Sequence, residues 1–306
     1  MNHTQTAPAL PHVDGVEHLF LDLPGLRMHV AEAGAGEPVV LLHGFPQHWW
    51  EWRGLIPGLA ERYHVICPDL RGAGWTEAPR AGYTRDQLLA DVIALLDELG
   101  LDRVRLISHD IGAITAFSLC IEHPERVVSH VAIAVPPPFI RFHLRLLPVM
   151  RHLWFQEAIA VPALGPRLLG RGTQRLPRWL FRNFTSNPAA RPDGSVDAYI
   201  AQLREPERAH AGSAIYRHLV IPEFVRILRG RYLSRRLESP TLILFGGDDS
   251  AFTPGLIDIL LRDRDEHADQ VEIAFVDGAA HFPPDEAPEQ VLGLSLKFFE
   301  GVPARR

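Results

Sequence analysis

The 306-residue sequence predicts an α/β protein, a mostly parallel eight-stranded sheet flanked by helices and interrupted once by an all-helical insertion. Three observations carry that prediction. Short apolar runs bounded by turn residues alternate with amphipathic stretches over residues 16–135 and again over 240–300. Between them lie about a hundred residues rich in Arg, Leu and Pro, with helix-like patches and no convincing strand. Finally, the apolar run 104–107 passes directly into Ser108-His109-Asp110-Ile111-Gly112 and then a helix-like segment, 113–122. Small residues two places either side of a central one suit a sharp strand-to-helix turn that pushes the middle side chain, here Asp110, out above the sheet.

In chain order, residues 16–22 and 26–32 read as strands joined by a turn at Pro24-Gly25. Residues 38–42 form a continuous apolar run of the kind covered on both faces of a parallel sheet. The run ends in His43-Gly44-Phe45-Pro46, and the following helix carries Trp49, Trp50 and Trp52, expected to pack in the core. Strand 64–68 leads into Asp69-Leu70-Arg71-Gly72-Ala73-Gly74. Thr84-Arg85-Asp86-Gln87 has capping-box spacing and opens a helix that Gly100 closes. Strand 127–135 follows the elbow and its helix. At Pro136-Pro137-Pro138 the alternation stops, which divides the chain into a core of 1–136 and 237–306 and a cap of 137–236. The second part of the core begins with strand 240–246, then a helix near 255–261, strand 271–276 and a final helix over 286–300.

A composition of 46% hydrophobic and 22% charged residues is that of an ordinary globular chain. Cys67 and Cys120 both sit in apolar elements, so buried free thiols are expected rather than a disulfide framework. No signal peptide and no run of membrane-spanning length is visible, and a cytoplasmic protein without membrane insertion is expected. Charge is uneven. The cap holds 17 Arg and 6 acidic residues, the rest 14 basic and 31 acidic ones. Because the arginines are dispersed among apolar residues, the pattern suits a basic insertion docked on an acidic body, not a nucleic-acid surface. Apolar cap residues such as Leu146, Leu147 and Trp179 leave monomer and homodimer both open.

Four motifs stand at strand C-termini: His43-Gly44-Phe45-Pro46, Asp69 to Gly74, Ser108 to Gly112, and Ala279-Ala280-His281-Phe282. On these the chain resembles the α/β-hydrolase fold over nearly its whole length, and within it the epoxide hydrolases. Ala280, where that family usually has glycine, is a mild departure. Ligands in open α/β sheets gather outside the carboxyl ends of strands, where Asp110, Asp249 and His281 all fall. Taken alone, Asp110 would more often be a helix N-cap.

An aspartate at the elbow changes the chemistry. Its carboxylate is already ionised and suits displacement at a strained carbon, forming an alkyl ester. The resemblance then implies His281 as the base that activates water and Asp249 as its orienting acid, with Asp248 the neighbour to be distinguished from it. The Phe45 and Ile111 backbone N–H groups would stabilise the oxyanion. Tyr216, in Ala214-Ile215-Tyr216-Arg217, matches a cap tyrosine of the family that donates a proton to the leaving oxygen. No tyrosine occupies the setting of the other, so His152 is the candidate second donor and Tyr199 a reserve. His43, hydrogen-bonded around the cleft, and Trp154 are expected on the substrate side. The implied reactants are a small epoxide and water, with no cofactor and no metal. Haloalkane dehalogenases share the aspartate but resemble a version with halide-gripping side chains at the positions of Ile111 and Phe45. Fluoroacetate dehalogenases carry arginine where Ile111 stands. A ligand-binding protein that has lost catalysis is argued against by the filled catalytic positions.

Overall fold

The structure, a computed structural model, describes residues 9–303. Eight strands form one sheet in the order β1-β2-β4-β3-β5-β6-β7-β8. β1 (Glu17–Leu23) and β2 (Leu26–Ala33) form a hairpin, and β2 runs antiparallel to β4 (Tyr63–Pro68). The remaining pairs, made by β3 (Glu37–Leu42), β5 (Val104–His109), β6 (Val127–Ile133), β7 (Thr241–Gly246) and β8 (Val271–Val276), are parallel. β5, β6 and β7 are buried along their whole length. Alternation along β3 feeds both sides of the sheet. Val40 and Leu42 join one core, while Val39 and Leu41 join another with Trp49, Trp52 and Phe299.

Register decides where the site can be. Leu42 pairs with Ser108, Ser108 with Ala132, Ile133 with Leu244, and Gly246 with Val276. Five parallel strands therefore finish at nearly one level, and the loops leaving them begin at His43, Asp110, Ala134, Gly247 and Asp277.

The helices before the insertion are α1 (Ile56–Ala60), α2 (Arg85–Glu98) and α3 (Ile111–Glu122). A 3-10 turn over Trp49–Gly54 precedes α1, with Trp49 and Trp52 fully buried as core packing. Thr84 caps α2, its Oγ1 accepting the Gln87 N–H at 3.3 Å. Only half the capping box forms, because the Gln87 amide turns to Asp91 instead of back to the cap.

The insertion contains α4 (Leu147–His152), α5 (Trp154–Ala160), α6 (Leu164–Gly170), α7 (Arg175–Asn183), α8 (Ser195–Ala201), α9 (Pro206–Ile215) and α10 (Ile221–Leu228). A π turn over Tyr216–Val220 joins α9 to α10 in one continuous rod, a feature the sequence pattern does not reveal. Of the residues left open between dimer face and interior, Leu146 is buried, Trp179 half-buried and Leu147 exposed.

After β7 come α11 (Pro254–Leu260) and α12 (Arg264–His267), and after β8 come α13 (Pro283–Glu286) and α14 (Pro288–Gly301). The single final helix expected from sequence is thus two. Ala287, at φ −147° and ψ 57°, leaves helical space because Pro288 follows it. Cys67 and Cys120 are buried free thiols. Among the described residues no helix is long and apolar enough to cross a membrane.

Candidate active site

Asp110 stands between β5 and α3 at φ +48°, ψ −118°. A non-glycine residue there costs on the order of 1–3 kcal/mol, so the surroundings must hold it. They do so by close approach. A Cβ on Gly112 would lie 2.2 Å from the Leu42 carbonyl oxygen, and one on Gly44 would lie 2.9 Å from the Asp110 Cβ. Although Asp110 occupies the N-cap position of α3, its side chain makes no capping hydrogen bond. Its Oδ2 instead accepts the Phe45 N–H at 3.0 Å.

His281 Nε2 lies 4.0 Å from Asp110 Oδ1, and His281 Nδ1 lies 3.8 Å from Asp249 Oδ2. Both exceed hydrogen-bond length, as catalytic contacts often do without substrate. Asp249 is buried and Asp248 exposed, so the structure brings the former to the imidazole. One Asp249 oxygen accepts the Ala251 N–H at 2.7 Å. The other is buried, has no hydrogen-bond partner among the described residues, and faces the His281 ring.

Beneath these groups lies a buried pair absent from the sequence reading. His109 Nε2 donates to the His281 carbonyl at 2.8 Å, while His109 Nδ1 meets Glu51 Oε2 at 3.3 Å. Glu51 Oε1 accepts the Gly44 N–H at 3.2 Å, joining the three loops of the site. Burial opposes a charge on His109, but the Glu51 and Asp110 carboxylates outweigh it and bring its pKa up to about 9.

A cavity of about 160 Å³ opens over Asp110, between the strand ends and the insertion. Its wall is largely apolar, with Tyr216, Gln156, Glu223 and His281 the polar exceptions. Tyr216 begins the π turn and packs edge-on against Phe45, ring centroids 5.2 Å apart. Burial first, and the nearby Asp110 charge second, raise its pKa well above 10, so the hydroxyl keeps its proton. Glu223 is occupied by Arg226 and the Tyr232 hydroxyl.

Three sequence assignments are corrected. His152 is exposed at the end of α4 and does not line the cavity. Trp154 is 53% exposed on the outside of α5, stacked near Trp179. Residues with the opposite helical phase, Leu153 and Gln156, face inward instead. His43 is fully buried, donating through Nδ1 to the Gly44 carbonyl and accepting the Leu70 N–H at Nε2, so it braces the loop and does not meet a ligand. Tyr199, the reserve donor, is tied to Asp285 at 2.8 Å and Arg53 at 2.6 Å. Among the described residues no cluster of three or more His, Cys, Asp or Glu could hold a metal ion.

Residues 37–288 match the family described as alpha/beta hydrolase fold. The chain is 30% identical over 290 residues to the soluble epoxide hydrolase of Corynebacterium sp. (strain C12), covering 93% of this chain and 97% of that relative. It is 28% identical over 240 residues to a fluoroacetate dehalogenase of Burkholderia sp., covering 76% and 78%. Among solved structures, epoxide hydrolase CorEH without ligand superposes with a TM-score of 0.80 at 29% identity, over 94% of this chain and 100% of that one. The chain therefore belongs to the α/β-hydrolase fold family and, within it, to the epoxide hydrolases.

Proposed function

We propose that the protein opens an epoxide to a vicinal diol through an ester of Asp110. The observation that supports this most is the carboxylate itself. It is held out at a strained turn, engaged by the Phe45 N–H through Oδ2, and turns Oδ1 toward His281. In this reading Oδ1 attacks an epoxide carbon, the carbon–oxygen bond breaks, and the alkoxide takes the Tyr216 proton. Oδ2 becomes the ester carbonyl oxygen, already in contact with one of its two donors. The other is the Ile111 N–H, first in α3 and without an intrahelical acceptor.

His281, with its Nδ1 proton facing Asp249, then takes a proton from water as that water attacks the ester carbonyl. The tetrahedral intermediate collapses to the diol and free Asp110, and the proton returns to Tyr216. Water is the only co-reactant. Residues 137–236 serve as the cap that covers the step, over a core of 1–136 and 237–306. Tyr216 is left as the sole tyrosine donor on the cavity wall, since His152 points away.

The test is diol formation from styrene oxide. Wild type is expected to turn over, Asp110→Ala to lose at least about 10⁴-fold activity, and His281→Gln to accumulate an Asp110 adduct visible by mass spectrometry. Normal turnover by Asp110→Ala overturns the assignment. Dehalogenation by the same carboxylate is the rival, and the Burkholderia relative gives it standing. The apolar side chains of Phe45 and Ile111 argue against halide capture, and halide release from a haloalkane panel decides between the two.

A further inference from the structure

The loop carrying His281 is followed by two consecutive buried carboxylates, Asp285 and Glu286, that the chemistry above does not use. Glu286 is 4% exposed. Its Oε1 accepts the N–H groups of Ala280 at 3.1 Å and Phe282 at 3.2 Å, the residues on either side of His281. Its Oε2 accepts the N–H groups of Ser186 at 2.7 Å and Asn187 at 2.9 Å, in the insertion between α7 and α8. The Ser186 hydroxyl lies 3.1 Å from the same oxygen and 3.0 Å from the Gly278 carbonyl. One carboxylate thus grips the backbone around the imidazole with one oxygen and the insertion with the other.

The backbone of His281 itself is held in the same manner. Its N–H donates to the Phe184 carbonyl at 3.0 Å, again in the insertion, and its carbonyl accepts from His109. The ring, by contrast, has only the looser 3.8 and 4.0 Å contacts to Asp249 and Asp110. Its aim is therefore set by the backbone rather than by side-chain partners. We propose that Glu286 is a positioning residue for ester hydrolysis, transmitting the seating of the insertion to the aim of the His281 ring. Attack by Asp110 does not need that aim, whereas activation of water does. The inference rests on the two-step reading above.

The experiment separates the steps by rapid quench and intact-mass spectrometry with styrene oxide. Glu286→Gln puts an amide NH₂, which cannot accept, against one of the two sets of donors. Adduct formation is expected within about threefold of wild type and its hydrolysis slowed roughly tenfold to a hundredfold, so the adduct accumulates. Equal slowing of both steps, or unchanged kinetics, overturns the proposal, since a merely structural glutamate would produce no split. Should Glu286→Gln fail to fold, Ser186→Ala carries the test. It removes one hydroxyl and leaves both backbone donors, and the same split is expected at about two- to fivefold. Its absence overturns the proposal. His281→Gln is run alongside. An adduct there with no split in the Glu286 and Ser186 variants rejects the positioning role alone. No adduct there rejects the two-step reading.

Discussion

Tyr216 owes its place to burial and to one neighbour. An exposed tyrosine loses its proton near pH 10, but burial and the Asp110 charge keep this hydroxyl protonated above that. Tyr216→Phe is expected to slow ring opening about a hundredfold while leaving hydrolysis of the preformed ester unchanged. Single-turnover kinetics resolve the two, and an effect confined to ester hydrolysis assigns the proton elsewhere. Tyr216 was legible because its sequence setting resembles that of a family cap tyrosine. His152 and Trp154 were misread because apolar residues between 144 and 156 fall on both sides of α4 and α5, so sequence does not tell the cavity wall from the outer surface. Asp248 and Asp249 differ in nothing but burial, which no local pattern records. Glu51 and His109 interact across 58 residues and carry no spacing signal at all.

At the scale of elements, the strands were read nearly to the residue because each is an apolar run closed by turn residues. The elbow was the most informative of these, since its geometry tolerates only small flanking side chains. Gly112 shows how strict this is. Gly112→Ala drives a methyl against the Leu42 carbonyl on the adjoining strand, backbone that cannot swing aside. A loss of about 3 kcal/mol or more is expected in urea unfolding. A variant as stable as wild type would mean that the turn can relax. Helices were less legible. The break at Ala287 follows from the proline after it, but the short helices of the insertion are delimited by tertiary contacts, as where the Ser213 hydroxyl reaches the Ile159 carbonyl.

Across the whole molecule, charge opposition between insertion and body is not the main fastener. Asp285 and Glu286 of the body accept mostly from hydroxyl and backbone donors of the insertion, while Arg208 reaches the carbonyls of Ala73 and Thr76. Stability against pH turns on the Glu51–His109 pair, where the loops after β3, β5 and β8 meet. With its pKa at about 9, folded His109 holds a proton that the unfolded chain releases near 6.5. That contribution, up to about 3 kcal/mol, is complete below pH 6.5 and lost as pH climbs through 9. Melting temperatures between pH 6.5 and 9.5 are expected to fall for wild type and to flatten for His109→Asn. Parallel curves would place the proton elsewhere. The rod that holds Tyr216 has a consequence of another kind. Its wide turn accommodates one residue more than an ordinary helix would, and Val220, Phe224 and Ile227 of the cavity wall lie beyond Tyr216 on the same rod. Deleting any single residue within that turn would rotate everything downstream by about 100°, swinging those three side chains off the ligand while Tyr216 stayed put. Relatives could therefore lengthen or trim the surrounding loops freely, yet this one register is inherited whole or the binding chamber is rebuilt.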